Sequence, residues 1–529
     1  MEDPSPKSRR ASPWRLLLGA TLAAGFLFGL VNVVWGPLNQ DEGWYLLAAK
    51  NTAAGRMPYR DFFYTQGPFM PYVYGLLSFL WAPLGVLGGR LLTFAFGFFA
   101  SLLAADAARR CVPGGAASRT AFLATFLLLA LSPDYGYFTA IPKTYALGAF
   151  CLCGGTWLLA RRKPLAFLAG ALFAAAAATR ATLCLAAVPI WIFLIVERRR
   201  EGWRFAWLRF AIGCAAMLVL LYGPILALCP DSFFFAQTYH TAREGAGLAS
   251  WLMLRAGFLS LLAQGYLPMV CAAAILFAIP CPIQDAGESS QKSVGEGLLR
   301  AILAAGLLVT LAHFLVPFPY NDYNTPVMPL LAVFLGSGIG RLAGTHDDGR
   351  GAVRIGWTAL AACLVFAAAS PLCMKWVGGS QHLFWFSTDA RPQICKLREA
   401  GAWIRANTVP GEPIFTQDAY LAVEADRPVA PGLEMGPFCL FPGLSDEEAL
   451  ARHVHNYATL AATLSVTSAR IAATSGYAFA LQCPSTDPVP EETRRLFTDL
   501  LETRFGLPLW RMEGFGQNRT PLQVYVRKE

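Results

Sequence analysis

Two carboxylates, Asp41 and Glu42, stand together just beyond the apolar run 16–35, where a polar and aromatic stretch begins. Acidic side chains are costly to hold beside lipid and are usually kept there for function. A carboxylate in that place could take a proton from a bound molecule. The stretch 39–75, NQDEGWYLLAAKNTAAGRMPYRDFFYTQGPFMPYVYG, adds Tyr45, Arg60 and Asp61. Farther along, Lys143, Arg180, His240 and Arg243 lie at or beyond the ends of apolar segments, with Asp134 and Tyr239 close by in sequence. Cations so placed could hold an anion through charge-assisted hydrogen bonds. Their ordinary alternative is to snorkel to lipid headgroups. For Asp41 the structural alternative is a helix N-cap, a position that Asp favours. For His240 it is an interfacial histidine rather than a metal ligand.

Local pattern says which elements must carry these groups. Over 41–54 a helical period puts Trp44, Leu47 and Ala48 on one face, Gly55 is a natural stop, and Pro58, Pro68 and Pro71 interrupt the chain beyond it. The segments 164–179 and 181–196 are each shorter than the roughly 20 residues a membrane span needs. No loop joins them, so Arg180 is expected at the tip of a helical hairpin, facing a cavity. The connections 132–144, 229–255 and 317–324 are aromatic and punctuated by charge, as expected of loops packed round a site.

The chain has 529 residues, 55% hydrophobic and 15% charged, with a mean hydropathy of +0.44. A soluble domain carries about 25% charged residues, so repeated apolar runs identify a polytopic membrane protein. The net charge of +9 is then a matter of membrane orientation, not of nucleic-acid binding. Beyond 16–35, spans are expected near 86–108, 116–132, 143–160, 164–179, 181–196, 205–228, 257–279, 298–317, 325–342 and 353–376. The apolar segment 68–82 is too short and opens on prolines. If it does not cross, the basic clusters after it fall on the cytoplasmic side. That predicts eleven spans plus juxtamembrane helices, with the N-terminus cytoplasmic and the C-terminus outside.

Beyond about residue 378 there is no further span. The pattern predicts a membrane unit over 1–377 and an extracytoplasmic α/β domain over 378–529. In the latter, helices are expected near 398–407, from the capping box at Ser445 through Tyr457, and over 490–505. Strands are expected at 414–417 and 523–526. The thirteen cysteines show no metal-type spacing, and one disulfide among Cys395, Cys439 and Cys483 is allowed.

The order Asp-Glu, Tyr45, a small-residue helix, Gly55, then Pro58-Tyr59-Arg60-Asp61-Phe62-Phe63 and a Pro-led apolar segment resembles the first outer loop of GT-C membrane glycosyltransferases. These enzymes use polyprenyl-phosphate sugars and include protein O-mannosyltransferases and lipid A aminoarabinose transferases. The resemblance covers roughly the first 340 residues in architecture, and only this loop in motif. It implies a transferase that moves a sugar from a polyprenyl-phosphate donor to a glycan, lipid or protein acceptor at the outer face; the Ala- and Leu-rich spans point to a bacterial inner membrane. Asp41 matches the acidic position of the catalytic base, with Glu42 beside it. Arg180, Lys143, Arg60 and Arg243 become donor-phosphate ligands, and Tyr45, Asp61, Asp134, Tyr239 and His240 cavity residues. The chain departs from the pattern at Lys143, where the resemblance implies an Asp after the proline, and at Gln66-Gly67-Pro68. No cofactor is required on this reading. A divalent metal is admitted but not favoured, because a phosphate monoester can leave without one. The rival is a polyprenyl-lipid or sugar transporter or flippase, which predicts internal symmetry and charges in mid-span.

Overall fold

The computed structural model describes residues 13–241, 248–249, 251–256, 289–316, 319–344, 361, 391–476, 478–479, 489–517 and 519–527. The expected spans 257–279 and 353–376 (apart from residue 361), Arg243 and Cys483 lie outside the described residues. Helix α1 covers Pro13–Trp35, and α2, Gln40–Ala53, comes after a four-residue break. Next come α3, Phe69–Leu76, and α4, Ser78–Trp81. The membrane helices continue with α5, Gly85–Arg110; α6, Ala116–Ala130; α8, Thr144–Leu159; α9, Ala166–Ala177; α10, Ala187–Val196; and α11, Ala206–Leu228. A short helix α7, Pro133–Phe138, bridges α6 and α8, and α12 covers Pro230–Thr241. The last described membrane helices are α13, Ser289–Leu315, and α14, Met328–Gly344, joined in part by a 3₁₀ turn over Asn321–Val327.

Five described helical stretches are long and apolar enough to cross a membrane: Trp14–Trp35, Ser78–Arg110, Ala181–Arg199, Ala206–Leu228 and Gly295–Leu315. The expected spans at 116–132, 143–160 and 164–179 are also helical but shorter, at 15, 16 and 12 residues. At 1.5 Å per residue these reach about 18–24 Å, less than a hydrocarbon core of about 30 Å. Ser132-Pro133 ends α6 and Pro142 delays α8, so the chain turns inside the molecule before a full crossing. These helices can be short because they pack on protein: α6 lies along α14, α8 along α5, and α9 along α11. In the last pair Gly170 meets the Phe210 carbonyl and Gly213 the Phe167 carbonyl, and a Cβ at either would lie 2.0 Å from that oxygen. The eight-residue α3 packs on α2 and spans about 12 Å, far too little to cross.

The region from 391 to 527 folds on a four-stranded sheet of order β1-β2-β4-β3, with β1 Ile414–Thr416, β2 Ile471–Thr474, β3 Trp510–Phe515 and β4 Thr520–Val526. β1 and β2 are parallel; β4 runs antiparallel to both neighbours. Its helices are α15, Gln393–Ala406; α16, Ala419–Ala425; α17, Asp446–Ala451; α18, Tyr457–Val466; and α19, Glu491–Phe505. The helix expected from Ser445 through Tyr457 is two helices. Ser445 and Glu448 do form the capping box, but His453 takes a left-handed backbone (φ +57°) and Asn456 caps α18 afresh. His453 and His455 are therefore not on one helix. Cys395 and Cys439 are both free thiols.

Candidate active site

Everything expected of Asp41 depends on how α2 begins. Asn39 is the N-cap: its side chain accepts from the Asp41 N–H at 3.1 Å, while Glu42 Oε1 accepts from the Asn39 N–H at 2.8 Å. This reciprocal box satisfies two of the helix's free donors, so capping, the structural alternative for Asp41, falls to Asn39.

Glu42 turns away from its neighbour. Arg90, from α5, donates to Glu42 Oε2 from Nε at 2.7 Å and to Oε1 from Nη2 at 2.6 Å. The remaining guanidinium N–H groups donate to the carbonyls of Val33, Gly36 and Pro37, between 2.9 and 3.0 Å. Both side chains are fully buried. The pair fastens the end of α1 to the start of α2 and α5, and so fixes the direction in which Asp41 leaves the helix.

Asp41 faces a cluster that several distant segments build. Lys143 Nζ lies 2.9 Å from Asp41 Oδ2 and 3.0 Å from Asp322 Oδ2. Tyr145 Oη donates to the same Asp322 oxygen at 2.9 Å. Arg180, before a 3₁₀ turn over Ala181–Ala186, lays its guanidinium over the Tyr323 ring at 3.8 Å and 5.3 Å from the Tyr145 ring. The buried Arg180 Nε has no hydrogen-bond partner. Tyr45 lies within the field of Asp41, Arg180 and Lys143. Behind Tyr323, His313 is hydrogen-bonded to Thr182 Oγ1 at 2.8 Å and Asn324 Oδ1 at 2.9 Å.

The electrostatics come from burial set against pairing. For Lys143 burial favours the neutral amine, but Asp41, Tyr145 and Asp322 outweigh it and hold the pKa well above the usual lysine range. For Asp322 burial pushes up and the cations Lys143 and Arg180 pull down; the net direction is down, so this carboxylate stays charged. Asp134, in α7, is buried and close enough to Asp322 to be repelled by it; burial first and that charge second push its pKa up to about 7.

The expected residues thus separate. Asp41, Tyr45, Lys143 and Arg180 converge, with Asp134 on the edge. Arg60 and Asp61 instead bind each other through Arg60 Nε and Nη2, both at 2.8 Å, and Asp61 also accepts from the Met57 N–H at 2.6 Å. The Arg60 carbonyl meets His453 Nε2 at 2.7 Å. Tyr239 and His240 have their backbone in α12. Sequence reasoning passed over Asp322, Tyr145 and Arg90. Asp322 had a signal, as the only acid in the connection PFPYNDYN; Arg90 had only its place near the start of a long apolar helix. Among the described residues no group of three His, Cys, Asp or Glu could hold a metal ion.

The helical membrane unit with a small sheet region after it has the GT-C fold, as its likeness to solved structures shows. The chain is a membrane protein. Among solved structures it is similar to ArnT from Cupriavidus metallidurans bound to undecaprenyl phosphate, with TM-score 0.57 and 16% identity over 97% of this chain and 98% of that one. The apo form of the same protein aligns with TM-score 0.57 and 17% identity over the same shares. The oligosaccharyltransferase of Archaeoglobus fulgidus aligns more loosely, with TM-score 0.45 and 12% identity over 86% of this chain and 69% of that one. No protein-family model matches the sequence, and no curated protein does.

Proposed function

We propose that this chain is a glycosyltransferase that takes a sugar from a polyprenyl-phosphate donor and places it on an acceptor at the outer face of a bacterial inner membrane. In this reading 1–377 form the catalytic membrane unit and 378–529 an extracytoplasmic domain. The observation that carries it is the buried Arg180 guanidinium, with Nε unpartnered, in the cluster where Lys143 bridges Asp41 and Asp322. A buried donor without a partner calls for an acceptor that arrives with a ligand, and a phosphate supplies one. The similarity to a protein whose structure holds undecaprenyl phosphate supports the lipid-phosphate class.

The reaction needs little covalent help from the protein. The acceptor's hydroxyl or amine gives its proton to Asp41 while its lone pair forms the bond to the anomeric carbon. The anomeric C–O bond breaks, and its electron pair leaves on the phosphate. Alignment and stabilisation of that leaving charge are the protein's share, with Arg180, among the described candidate phosphate ligands, the cation not already bonded to a carboxylate. Asp41 rather than Glu42 is the base, because Glu42 is fully buried under Arg90. The test is transfer by the purified full chain in nanodiscs, offered a panel of polyprenyl-phosphate sugars, with donor binding measured in parallel. Arg180→Ala is expected to weaken donor binding by about 1.5–3 kcal/mol, the loss of one charge-assisted hydrogen bond. Lipid translocation without transfer across the panel would sink the reading in favour of a flippase.

A further inference from the structure

Lys143 is one ammonium held between two carboxylates, and those two carboxylates differ. The Asp41 side chain is 28% exposed and the Asp322 side chain 12%. Asp322 also takes the Tyr145 hydroxyl on the oxygen that faces Lys143. One carboxylate is therefore open to a bound molecule and the other is walled in. We propose that Asp322 is a positioning residue that keeps Asp41 basic by sharing the Lys143 ammonium with it. The inference rests on the proposed role of Asp41 as the base.

A lysine bonded to Asp41 alone would hold that carboxylate in its charged form and weaken it as a proton acceptor. An opposite charge within about 4–6 Å typically lowers a carboxylate's pKa by 1–3 units. Asp322 counters this in two ways. It divides the attraction of the single ammonium, and its own negative charge favours protonation of the neighbouring carboxylate. A second consequence concerns the moment after proton transfer. When Asp41 becomes neutral, Lys143 would otherwise be a buried charge with no counter-ion, which is strongly unfavourable. With Asp322 in place at 3.0 Å, the ammonium keeps one carboxylate throughout, and the proton is the only charge that moves.

Among the described residues, the other titratable or charged groups around this trio are Tyr45 from α2, Asp134 and Tyr137 from α7, Tyr145 from α8, Arg180, Tyr323 and, behind it, His313. Glu42 and Arg90 neutralise each other. Asp322 is the one of these that shares Lys143 with Asp41 within hydrogen-bond reach.

The experiment measures kcat and KM against pH for the full chain in nanodiscs, using a polyprenyl-phosphate sugar that supports turnover. The parent is compared with Asp322→Asn, Asp322→Glu and Lys143→Gln, each checked by thermal unfolding. In Asp322→Asn the acid limb of kcat is expected to move to lower pH by about one unit. Its plateau is expected to fall about threefold to tenfold, since a weaker base removes a proton more slowly. Donor KM should change little, and Asp322→Glu should restore the limb. Lys143→Gln should move the limb the opposite way, to higher pH. A folded Asp322→Asn protein with the parent's acid limb overturns the proposal, even if its rate is lower. If Asp322→Asn does not fold, Lys143→Gln decides: an unmoved limb overturns the proposal and an upward shift supports it. Absence of turnover by the parent chain with every donor is a different failure, which removes the transferase reading and this inference with it.

Discussion

Asp41 and Glu42 are adjacent in sequence and opposite in circumstance. The first is half-open beside a lysine, and the second is sealed under a guanidinium whose five hydrogen bonds include two to it. Asp41→Asn keeps shape and removes basicity, and it leaves the cap at Asn39 intact. Turnover is expected to fall by about 10²–10⁴-fold, with the unfolding temperature nearly unchanged. Glu42→Gln strands the buried Arg90 charge, and breaking such a pair costs about 3–5 kcal/mol, so its first effect should be a lower unfolding temperature. Near-parent turnover in the Asp41 variant would defeat the base assignment. Asp134 makes a separate prediction about pH. Its folded pKa of about 7 lies above the unfolded value of about 3.9, so between those limits the folded protein binds the extra proton. Stability contributed by this group is therefore present at low pH and declines as pH rises from about 4 to 7. Unfolding temperature measured from pH 5 to 7.5 should fall less steeply in Asp134→Asn than in the parent; identical slopes would contradict the burial argument.

At the scale of elements, α2 is set from two sides. The Glu42–Arg90 pair ties its start to α1 and α5, and the region 391–527 packs on its other face. Gln517 Oε1 accepts from the Gln40 N–H at 2.8 Å, and Gln40 Nε2 donates to the Gln417 carbonyl at 3.3 Å. Lys50 pairs with Asp426 near the other end of the helix. Gly43 makes this approach feasible, because a Cβ there would stand 2.1 Å from the Tyr420 backbone nitrogen. Backbone cannot swing aside as a side chain can. Gly43→Ala should therefore push α2 and α16 apart, at about 1–3 kcal/mol, visible as a lower unfolding temperature and faster proteolysis between 391 and 527. An unchanged unfolding temperature would mean that the two helices are not held together as closely as this contact requires.

On the whole molecule, orientation hangs on the segment between α2 and α5. α3 is only eight residues long and packs on α2; on the eleven-span reading the chain therefore turns back here without crossing, which puts the loop after α5 on the opposite side of the membrane from α2. Ala116 and Ser468 are both exposed, so cysteines placed there report the two sides. In intact spheroplasts an impermeant thiol reagent should label Ser468→Cys beyond the parent's background and leave Ala116→Cys untouched until the membrane is opened. Labelling of Ala116→Cys from outside would sink the eleven-span orientation.

Hydrophobicity, capping chemistry and helix-stopping residues are local properties, and the features that depend on them were legible in the sequence. The apolar runs are the helices α1, α5 and α11 to within a few residues, while α13 starts nine residues before its apolar run and α10 follows a 3₁₀ turn over the first six residues of its own; Gly506 does end α19, and Ser445 does begin α17. The stretch that carries Asp41 stood out as a candidate from its charge beside an apolar run, and the structure brings Asp41 against Lys143. Strands β2 and β3 escaped notice because a short strand is defined by its partners, and β2 finds its own 40 residues or more along the chain, in β1 and β4. The true length of α6, α8 and α9 was hidden for a similar reason: a helix buried in protein need not span lipid. Which of two adjacent carboxylates faces Lys143 was settled by Arg90, 48 residues beyond Glu42, which holds the other. The union of Asp41, Lys143 and Asp322 draws on three separate segments, the start of α2, the start of α8 and the 3₁₀ turn before α14, whose proximity no local pattern encodes. Charge pairing acts over a few ångströms in space, whereas sequence pattern reports a few residues along the chain, and only the packed helices turn one into the other.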